Sequence, residues 1–514
     1  MSGASKSIVN TPEQQFVPQS GTLKSRAVLA GNYDPAKTTV VENLFQQTIN
    51  AADVGARFGL GSELHRMALY FEQSSNKEVE FYCFPLTAPA GGVTQETTIT
   101  FATTATASGT WYFRIGSYLL ADIIQVNVAA DDTADAQAAA LAAAITAKGN
   151  IPYTATATLG VVTIVSKTAS SSANDYQITN NVGEDESDLI PAGTTVVIAS
   201  SETGVGESDL TALWAALADE SSSWKTDLVT PYDSITALNG ALTTCGNPNL
   251  KTGLYGAPVY NPFVNWTAGN TGRAGGLTTA IALGDGRKET DPCNTRLEAP
   301  NSPEIGFEIS AYVMGGIAKQ AQDNAAKAFT SLQFPLLFGP LTKADDWTTA
   351  SANRDLAVNA GITPIAFLSG VAKCFDVCSF WHPQTSELNA PFKFIVNQRK
   401  IWNVANAVKT YEQSASIQDR PTVQDVSATD FSANAIDTDT VLADLNVLAE
   451  QWSAKAWIYT STFTIVNTTV TEDPENPDRY VIYIPIITSG NLRQKEADVA
   501  VTRDIAAVNI VIGG

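Results

Sequence analysis

The sequence predicts a multidomain protein of mixed α/β and α+β class. Its length supports this, and so does the contrast in composition and pattern between its segments. The chain has 514 residues with an apolar fraction of 44%, which is enough for about three globular domains. Strand-like and helix-like segments alternate over 26–93 and 206–370, which indicates one middle α/β domain made from both segments. The intervening 94–205 is rich in Thr, Ala, Ser and Gly, and we interpret it as an inserted α+β module.

The remaining residues predict a C-terminal domain with an extended arm at each end of the chain. Residues 371–492 combine two helical patterns with strand-like runs, which indicates a helix-plus-sheet domain. The segment 1–25 contains Pro12 and Pro18 and is polar; it is either a disordered terminus or an arm that orders on a neighbouring molecule. The segment 493–514 is the second arm.

The α/β domain begins with a β-α-β order. Arg26–Gly31 is predicted to be a strand, Gly59–Phe71 a turn followed by a helix, and Val79–Leu86 a second strand. Ser62 is a suitable N-cap for that helix. This order favours a parallel pair of strands with a right-handed crossover.

The inserted module is predicted to contain short strands and one Ala-rich helix. That helix begins near Asp132 or Thr133 and ends at Ala147, and Gly160 marks a hairpin turn. The predicted strands are Thr97–Thr103, Thr110–Ile115, Ile123–Val128, Tyr153–Thr158 and Val161–Ser166.

The second part of the α/β domain is predicted to hold two helices and three buried strands. A helix is expected over Asp209–Ala218, and another within Ile305–Phe329, interrupted by Gly315 and Gly316. Three short apolar runs suit buried parallel strands, namely Leu228–Tyr232, Thr279–Leu283 and Ile365–Leu368.

In the C-terminal domain we expect a strand, two helices and a hairpin. The strand is Val371–Trp381 and the helices are Phe394–Tyr411 and Asp437–Trp452. Apolar residues at 4-3-4 spacing mark the second helix: Val441, Leu445, Leu448 and Trp452. The hairpin comprises the strand-like run Trp457–Val470, a turn over Thr471–Asp478 and a second run, Tyr480–Ile487.

A last apolar run, Ile505–Ile512, follows the polar connector Ser489–Asp498. On a strand, Val508, Ile510 and Ile512 would lie on one face. Such a strand has two explanations. It could form the edge of a sheet in its own domain, or it could be donated to the sheet of another subunit, where main-chain hydrogen bonds give affinity.

Composition and charge exclude several classes of partner. The net charge of −21 argues against a nucleic-acid-binding surface, which needs clustered Lys and Arg. No run approaches the 18 or so apolar residues of a membrane span, and the first residues lack the apolar core of a signal peptide, so we expect no Sec export and no membrane insertion. The five cysteines are widely spaced and predict reduced, buried thiols.

The sequence predicts no catalytic, cofactor or metal motif. The two histidines, His65 and His382, are expected to be structural, and Cys374 and Cys378 lie near His382 without the further ligands that zinc needs. Phosphate-loop and dinucleotide fingerprints are absent from the sequence. Carboxylates are plentiful, so an α/β hydrolase or a glycosidase pair stays open as an alternative. We therefore expect that the protein is not an enzyme.

The order of several motifs resembles the contractile tail sheath proteins of Mu-like bacteriophages. In the module the resemblance lies in Asp131–Ala134, the hairpin and Ala173–Asp175; Gly361–Pro364 resembles the segment leading into the family's C-terminal domain. The N-terminal motif is carried by Phe58, Gly59, Gly61, Ser62, Leu64, Met67 and Phe71.

The resemblance implies a structural subunit of hexameric rings that stack helically around a tail tube. It implies that 371–492 is the inner polymerisation domain, that 94–205 lies outside, and that contraction drives the tube into the host envelope without nucleotide. Implied partners are the tube, baseplate and tail terminator proteins, with assembly in the host cytoplasm and a final location in the virion. A related contractile injection system and another virion tail protein remain alternatives.

The resemblance also favours strand donation by both arms. The implied donor residues are Val508, Ile510, Val511 and Ile512 in the C-terminal arm, and Ile8, Val9, Phe16 and Val17 in the N-terminal arm. The implied acceptor residues in the hairpin are Ile458, Phe463, Ile465, Val481, Ile482 and Ile484.

Overall fold

The computed structural model describes the greater part of the chain, and the fold below refers to that part. The described residues are 20–116, 123–182, 185–218, 225–245, 265–269, 276–299, 302, 304–329, 332–334, 351–368, 371–374, 377–382, 392–414, 417, 420–423 and 435–490.

The first segment contains the predicted β-α-β order, with one further strand and one further helix that were not predicted. Its elements are β1 (Arg26–Gly31), β2 (Gln46–Thr48), α1 (Ala51–Phe58), α2 (Glu63–Ser75) and β3 (Glu80–Pro85). Strands β1 and β3 pair in parallel, with Ala27 opposite Phe81, which confirms the predicted parallel pair. The Ser62 hydroxyl caps α2 by accepting from the His65 amide, as the sequence predicted.

The inserted module forms two small sheets and one helix around its own core. Its elements are β4 (Glu96–Phe101), β5 (Gly109–Gly116), β6 (Ile123–Val128), α3 (Ala134–Ala147), β7 (Tyr153–Thr158), β8 (Val161–Ser166), β9 (Gln177–Asn180) and β10 (Val196–Glu202), with short 3-10 turns at Ser171–Asp175 and Ser187–Leu189. The strand orders are β10-β4-β8-β7 and β6-β5-β9. Thr133 caps α3, and the hairpin at Gly160 has the predicted bounds.

After the module the chain returns to the α/β domain. The elements are α4 (Thr211–Ala218), β11 (Asp227–Val229), α5 (Ile235–Cys245), β12 (Asn265–Gly269), α6 (Gly276–Asp285), β13 (Asn294–Glu298), α7 (Gly306–Asp323), β14 (Gln333–Phe334), α8 (Ser351–Asn359), β15 (Ile362–Leu368) and β16 (Val371–Cys374).

A nine-stranded sheet organises this domain, in the order β14-β16-β15-β13-β12-β11-β1-β3-β2. The strands from β15 to β3 run parallel. At the two edges β2 pairs antiparallel with β3, β16 pairs antiparallel with β15, and β14 pairs antiparallel with β16. Along β1, Ala27 and Leu29 face a core built with α2 and α7, and Val28 and Ala30 face one built with α4 and α5. Both faces are therefore covered, as a parallel sheet requires.

The C-terminal region packs helices against a hairpin. Its elements are α9 (Ile395–Glu412), α10 (Thr438–Ala454), α11 (Ser461–Asn467), β17 (Thr469–Asp473) and β18 (Asn476–Tyr483). The predicted apolar stripe of α10 is buried in full, and Asp437 caps the helix by accepting from the Thr440 amide.

Two strand predictions in the α/β part of the chain are wrong. Residues 279–283 belong to helix α6, because Ala280, Gly284 and Arg287 are buried at helical spacing, a period that a five-residue apolar run does not reveal. The strand predicted over 371–381 ends at Cys374, and Cys378 makes only an isolated bridge to Phe394.

The hairpin prediction needs two corrections. The run 457–470 is not one strand: Thr460 caps helix α11, and β17 begins only at Thr469. The turn predicted over 471–478 is also shorter, since β17 ends at Asp473 and β18 begins at Asn476.

The predicted interruption of the helix at Gly315 and Gly316 is wrong as well. Helix α7 continues through both residues. A Cβ at Gly315 would lie 2.2 Å from the Ser74 hydroxyl and 2.6 Å from the Phe71 carbonyl oxygen. The glycine is needed for close contact with α2, and does not break the helix.

Candidate assembly surface

Among the residues that the structure describes, the hairpin β17–β18 is a sheet with two open edges. Within the described residues it has only two strands, paired antiparallel with Val470 opposite Ile482. Val470, Tyr480 and Ile482 pack on the core around α10, whereas Val481 and Tyr483 on the other face are exposed by 45% and 63%. Unpaired strand edges can accept a further strand through main-chain hydrogen bonds.

The predicted acceptor residues fall in two elements, β18 and α11, and in the chain beside them. Val481 and Ile482 lie in β18, and Ile484 follows that strand and packs on the same core. Ile458 is buried and forms an isolated bridge to Thr488. The remaining two, Phe463 and Ile465, lie in α11 and therefore offer no strand edge.

The predicted donor residues of both arms lie outside the described residues. This holds for the C-terminal set, Val508, Ile510, Val511 and Ile512, and for the N-terminal set, Ile8, Val9, Phe16 and Val17. Their donation to a neighbour therefore stays a prediction.

The described residues next to each arm, 20–25 at the N-terminal arm and 487–490 at the C-terminal arm, are called the roots of the arms. Both roots lie at the end of α10. At the N-terminal root, the Ser20 amide donates to Gln451 Oε1 over 2.8 Å, and Lys455 Nζ donates to the Ser20 carbonyl oxygen. At the C-terminal root, the Ser489 hydroxyl donates to the Ala456 carbonyl oxygen. Adjacent residues of one helix end thus hold the two roots. Sequence reasoning missed this arrangement, because no local pattern relates Ser20 to Gln451.

The Gly-rich motif before α2 forms a joint with the inserted module. Gly61 has φ +78°, and a Cβ there would lie 2.3 Å from the Ile151 carbonyl oxygen of the module. The Gly61 amide donates to His65 Nδ1 over 3.0 Å. Lys167 Nζ, from the module, donates to the carbonyl oxygens of Leu60 and Gly149, over 2.8 Å each. This motif therefore positions the module against α2.

A buried carboxylate lies at the same joint. Glu63 Oε2 accepts from the Asn32 amide over 2.7 Å, and Oε1 accepts from the Ser172 hydroxyl of the module over 2.5 Å. Burial raises the pKa of Glu63, and the hydrogen bonds oppose that shift. Next to it, Arg66 pairs with Glu308 over 2.7 Å, with both side chains fully buried. The joint is thus polar, buried and closely hydrogen-bonded.

The histidines and cysteines singled out in the sequence have structural surroundings. Burial lowers the pKa of His382, whose Nδ1 lies 2.6 Å from the Phe380 carbonyl oxygen, and Cys374 and Cys378 are buried. Among the residues that the structure describes, no group of three or more His, Cys, Asp or Glu side chains is arranged to hold a metal ion. Nor does any helix in that part of the chain have the length and apolar character needed to cross a membrane.

Comparison with known proteins finds similarity only among solved structures. No protein-family model and no curated protein matches the sequence. The sheath tail protein of Desulfitobacterium hafniense aligns with a TM-score of 0.44 and 10% identity, covering 92% of this chain and 98% of that one. The sheath tail protein of Listeria innocua gives 0.44 and 10%, covering 92% and 94%. The contracted helical sheath of the anti-feeding prophage gives 0.42 and 11%, covering 95% and 96%.

Proposed function

We propose that this chain is the structural subunit of a contractile phage tail sheath of the Mu-like type. It polymerises as stacked hexameric rings around a tail tube, and contraction drives the tube through the host envelope. Baseplate and tail terminator proteins are its partners at the ends of the sheath. Assembly takes place in the host cytoplasm, and the mature location is the virion.

The observation that carries this proposal is the shared position of the two arm roots beside an open-edged hairpin. Ser20 and Ser489 both contact the last turn of α10 or the residues directly after it. The hairpin packs against the same helix. Two arms that begin at the same end of α10 can reach the same neighbouring subunit. A hairpin with open edges can receive strands from another copy. Repetition of one such heterologous contact generates a ring or a helix.

The direct test compares the full chain with a chain that ends at Leu492. We expect hollow striated tubes from the full chain and folded monomers from the shorter one, because the donated strand is missing. Sedimentation velocity and negative-stain electron microscopy measure the two outcomes. Monomers from both proteins at high concentration would contradict the proposal.

A point substitution makes the test sharper. Ile510→Asp places a charge on the apolar face of the donated strand, so we expect it to block assembly while circular dichroism of the monomer is unchanged. Asn509→Asp is the matched control, since it adds the same charge at the neighbouring position, which lies on the opposite face of a strand. Normal tubes from Ile510→Asp would overturn strand donation.

A further inference from the structure

The N-terminal root is bound through its backbone by side-chain amides from three helices. The amides of Ser20, Leu23 and Ser25 donate to Gln451 Oε1 (2.8 Å), Asn403 Oδ1 (2.7 Å) and Gln322 Oε1 (3.3 Å), which belong to α10, α9 and α7. The Ser25 hydroxyl also donates to the Ala318 carbonyl oxygen over 2.8 Å. An extended segment outside any sheet is thus given a hydrogen-bond partner at three positions, which fixes its path.

Asn403 is itself held in one orientation. It is 2% exposed, and its Nδ2 donates to the Arg399 carbonyl oxygen over 2.7 Å. Because the amide nitrogen is engaged within α9, the amide oxygen must face the Leu23 N–H. This side chain therefore acts as a fixed acceptor for the backbone of the root.

The C-terminal root is bound by the same helix. Lys400, one turn before Asn403 and fully buried, donates from Nζ to the Ser489 carbonyl oxygen over 2.7 Å. The Tyr459 amide donates to the Ile487 carbonyl oxygen over 2.7 Å, and Ile458 bridges Thr488. A buried ammonium group needs acceptors; the Ser489 carbonyl oxygen supplies one at 2.7 Å, and Asn397 Oδ1, at 3.5 Å, supplies another.

Helix α9 is also fixed to the nine-stranded sheet. Arg399 pairs with Asp227 of β11, and both side chains are almost fully buried. Gln398 Nε2 donates to the carbonyl oxygens of Pro292 and Phe392, over 2.8 Å each. Three consecutive residues, Gln398, Arg399 and Lys400, thus connect the core of the α/β domain to a root.

We propose that α9 is a clamp for both arms, with Asn403 and Lys400 as positioning residues that fix the directions in which the arms leave the subunit. This inference rests on the proposed function. Any change in arm direction between assembly states is then confined to the chain before Ser20 and after Ser489.

The test is amide hydrogen exchange of the full-length protein at low concentration, followed by mass spectrometry of peptides from each root. Asn403→Leu removes the acceptor of Leu23 with little change of volume, and we expect exchange in 20–25 to accelerate about tenfold. Lys400→Met should accelerate exchange around 487–490 in the same way. Asn406→Leu, on the same helix and without a role in either root, is the matched control and should leave both segments unchanged.

Gln451→Met provides a second variant at a half-buried position, where the helix tolerates the change. It should accelerate exchange in 20–25 while α9 and α10 keep their protection. Unchanged exchange in 20–25 for Asn403→Leu, or around 487–490 for Lys400→Met, would overturn the clamp. Exchange is measured on the unassembled protein, so it tests the clamp even if the wild type forms no tubes, a result that would contradict the proposed function alone. If the wild type forms tubes, we expect Asn403→Leu to assemble slowly or irregularly. Assembly of this variant at the wild-type rate and regularity would contradict the positioning role of Asn403.

Discussion

Gly315 shows how one missing side chain sets the distance between two helices. In an isolated helix, Gly→Ala stabilises by about 0.5–1 kcal/mol. Here the added Cβ would lie 2.6 Å from the Phe71 carbonyl oxygen of α2, a backbone atom that moves only with its helix. We therefore expect Gly315→Ala to lower the free energy of unfolding by about 1–3 kcal/mol, the usual cost of overpacking a core.

The neighbouring glycine is the control for that prediction. A Cβ at Gly316 would meet only the ring edge of Phe334, at 2.9 Å. That ring lines a pocket of about 680 Å³, and a side chain can shift further than a backbone atom held in a helix. Thermal melting should show a clear drop for Gly315→Ala and a smaller change for Gly316→Ala. Equal melting temperatures would mean that the contact between α2 and α7 is looser than described.

His65 predicts a dependence of stability on pH. Burial, with smaller contributions from Arg66 and Lys167, lowers the pKa of His65 to about 4. The unfolded chain, with a pKa near 6.5, takes up the proton first as the pH falls, so the folded state loses stability between pH 6.5 and 4. The loss is on the order of 3 kcal/mol.

The measurement compares melting temperatures of the wild type and His65→Asn across that range. The asparagine oxygen can replace Nδ1 as the acceptor for the Gly61 amide, whose donor distance is 3.0 Å, but it does not titrate. We expect the wild type to fall more steeply than the variant below pH 6.5. Parallel curves would contradict a buried, neutral His65.

Among the secondary-structure elements, the local sequence pattern was enough to predict those that have one buried face and one exposed face. The stripe of α10, Val441, Leu445, Leu448 and Trp452, is at most 2% exposed. It could be recognised because its members recur at helical spacing, with Asp444, Asn446, Glu450 and Gln451 between them. The module hairpin was equally clear from alternation around Gly160. In both elements the burial period and the sequence period agree.

The elements that were mispredicted lack such contrast. Helix α11 is rich in β-branched residues, and its boundary is set by the Thr460 cap, whose hydroxyl accepts from the Thr462 amide over 3.3 Å. Helix α6 contains a short apolar run of a kind found in both helices and strands. The arm roots were not predictable at all, since Leu23 and Asn403 are joined only by the tertiary fold. The arms themselves stay a prediction, made for the N-terminal segment from its prolines and polar content and for the C-terminal segment from its apolar run.

At the scale of the whole molecule, the question is whether the rest of the chain can fold without the inserted module. Its entry and exit meet at a reciprocal pair of hydrogen bonds: the Val93 amide donates to the Val205 carbonyl oxygen over 2.9 Å, and the Val205 amide donates back over 3.0 Å. Such a pair is the geometry that closes a two-residue hairpin. Asn-Gly in place of Thr94–Gly204 should therefore join the chain without strain.

The joint sets the cost of this deletion. Without the module, Glu63 loses the Ser172 hydroxyl, and Arg66 loses the carbonyl oxygen of Asn150. Water replaces both partners, so we expect the shortened chain to fold and to form tubes, with a melting temperature several degrees lower. Ser172→Ala in the full chain is the control for the Glu63 contact, and Ser171→Ala, one residue away, should be neutral. A shortened chain that does not fold would show that the joint is part of the core of the α/β domain, and that the module is no independent insertion.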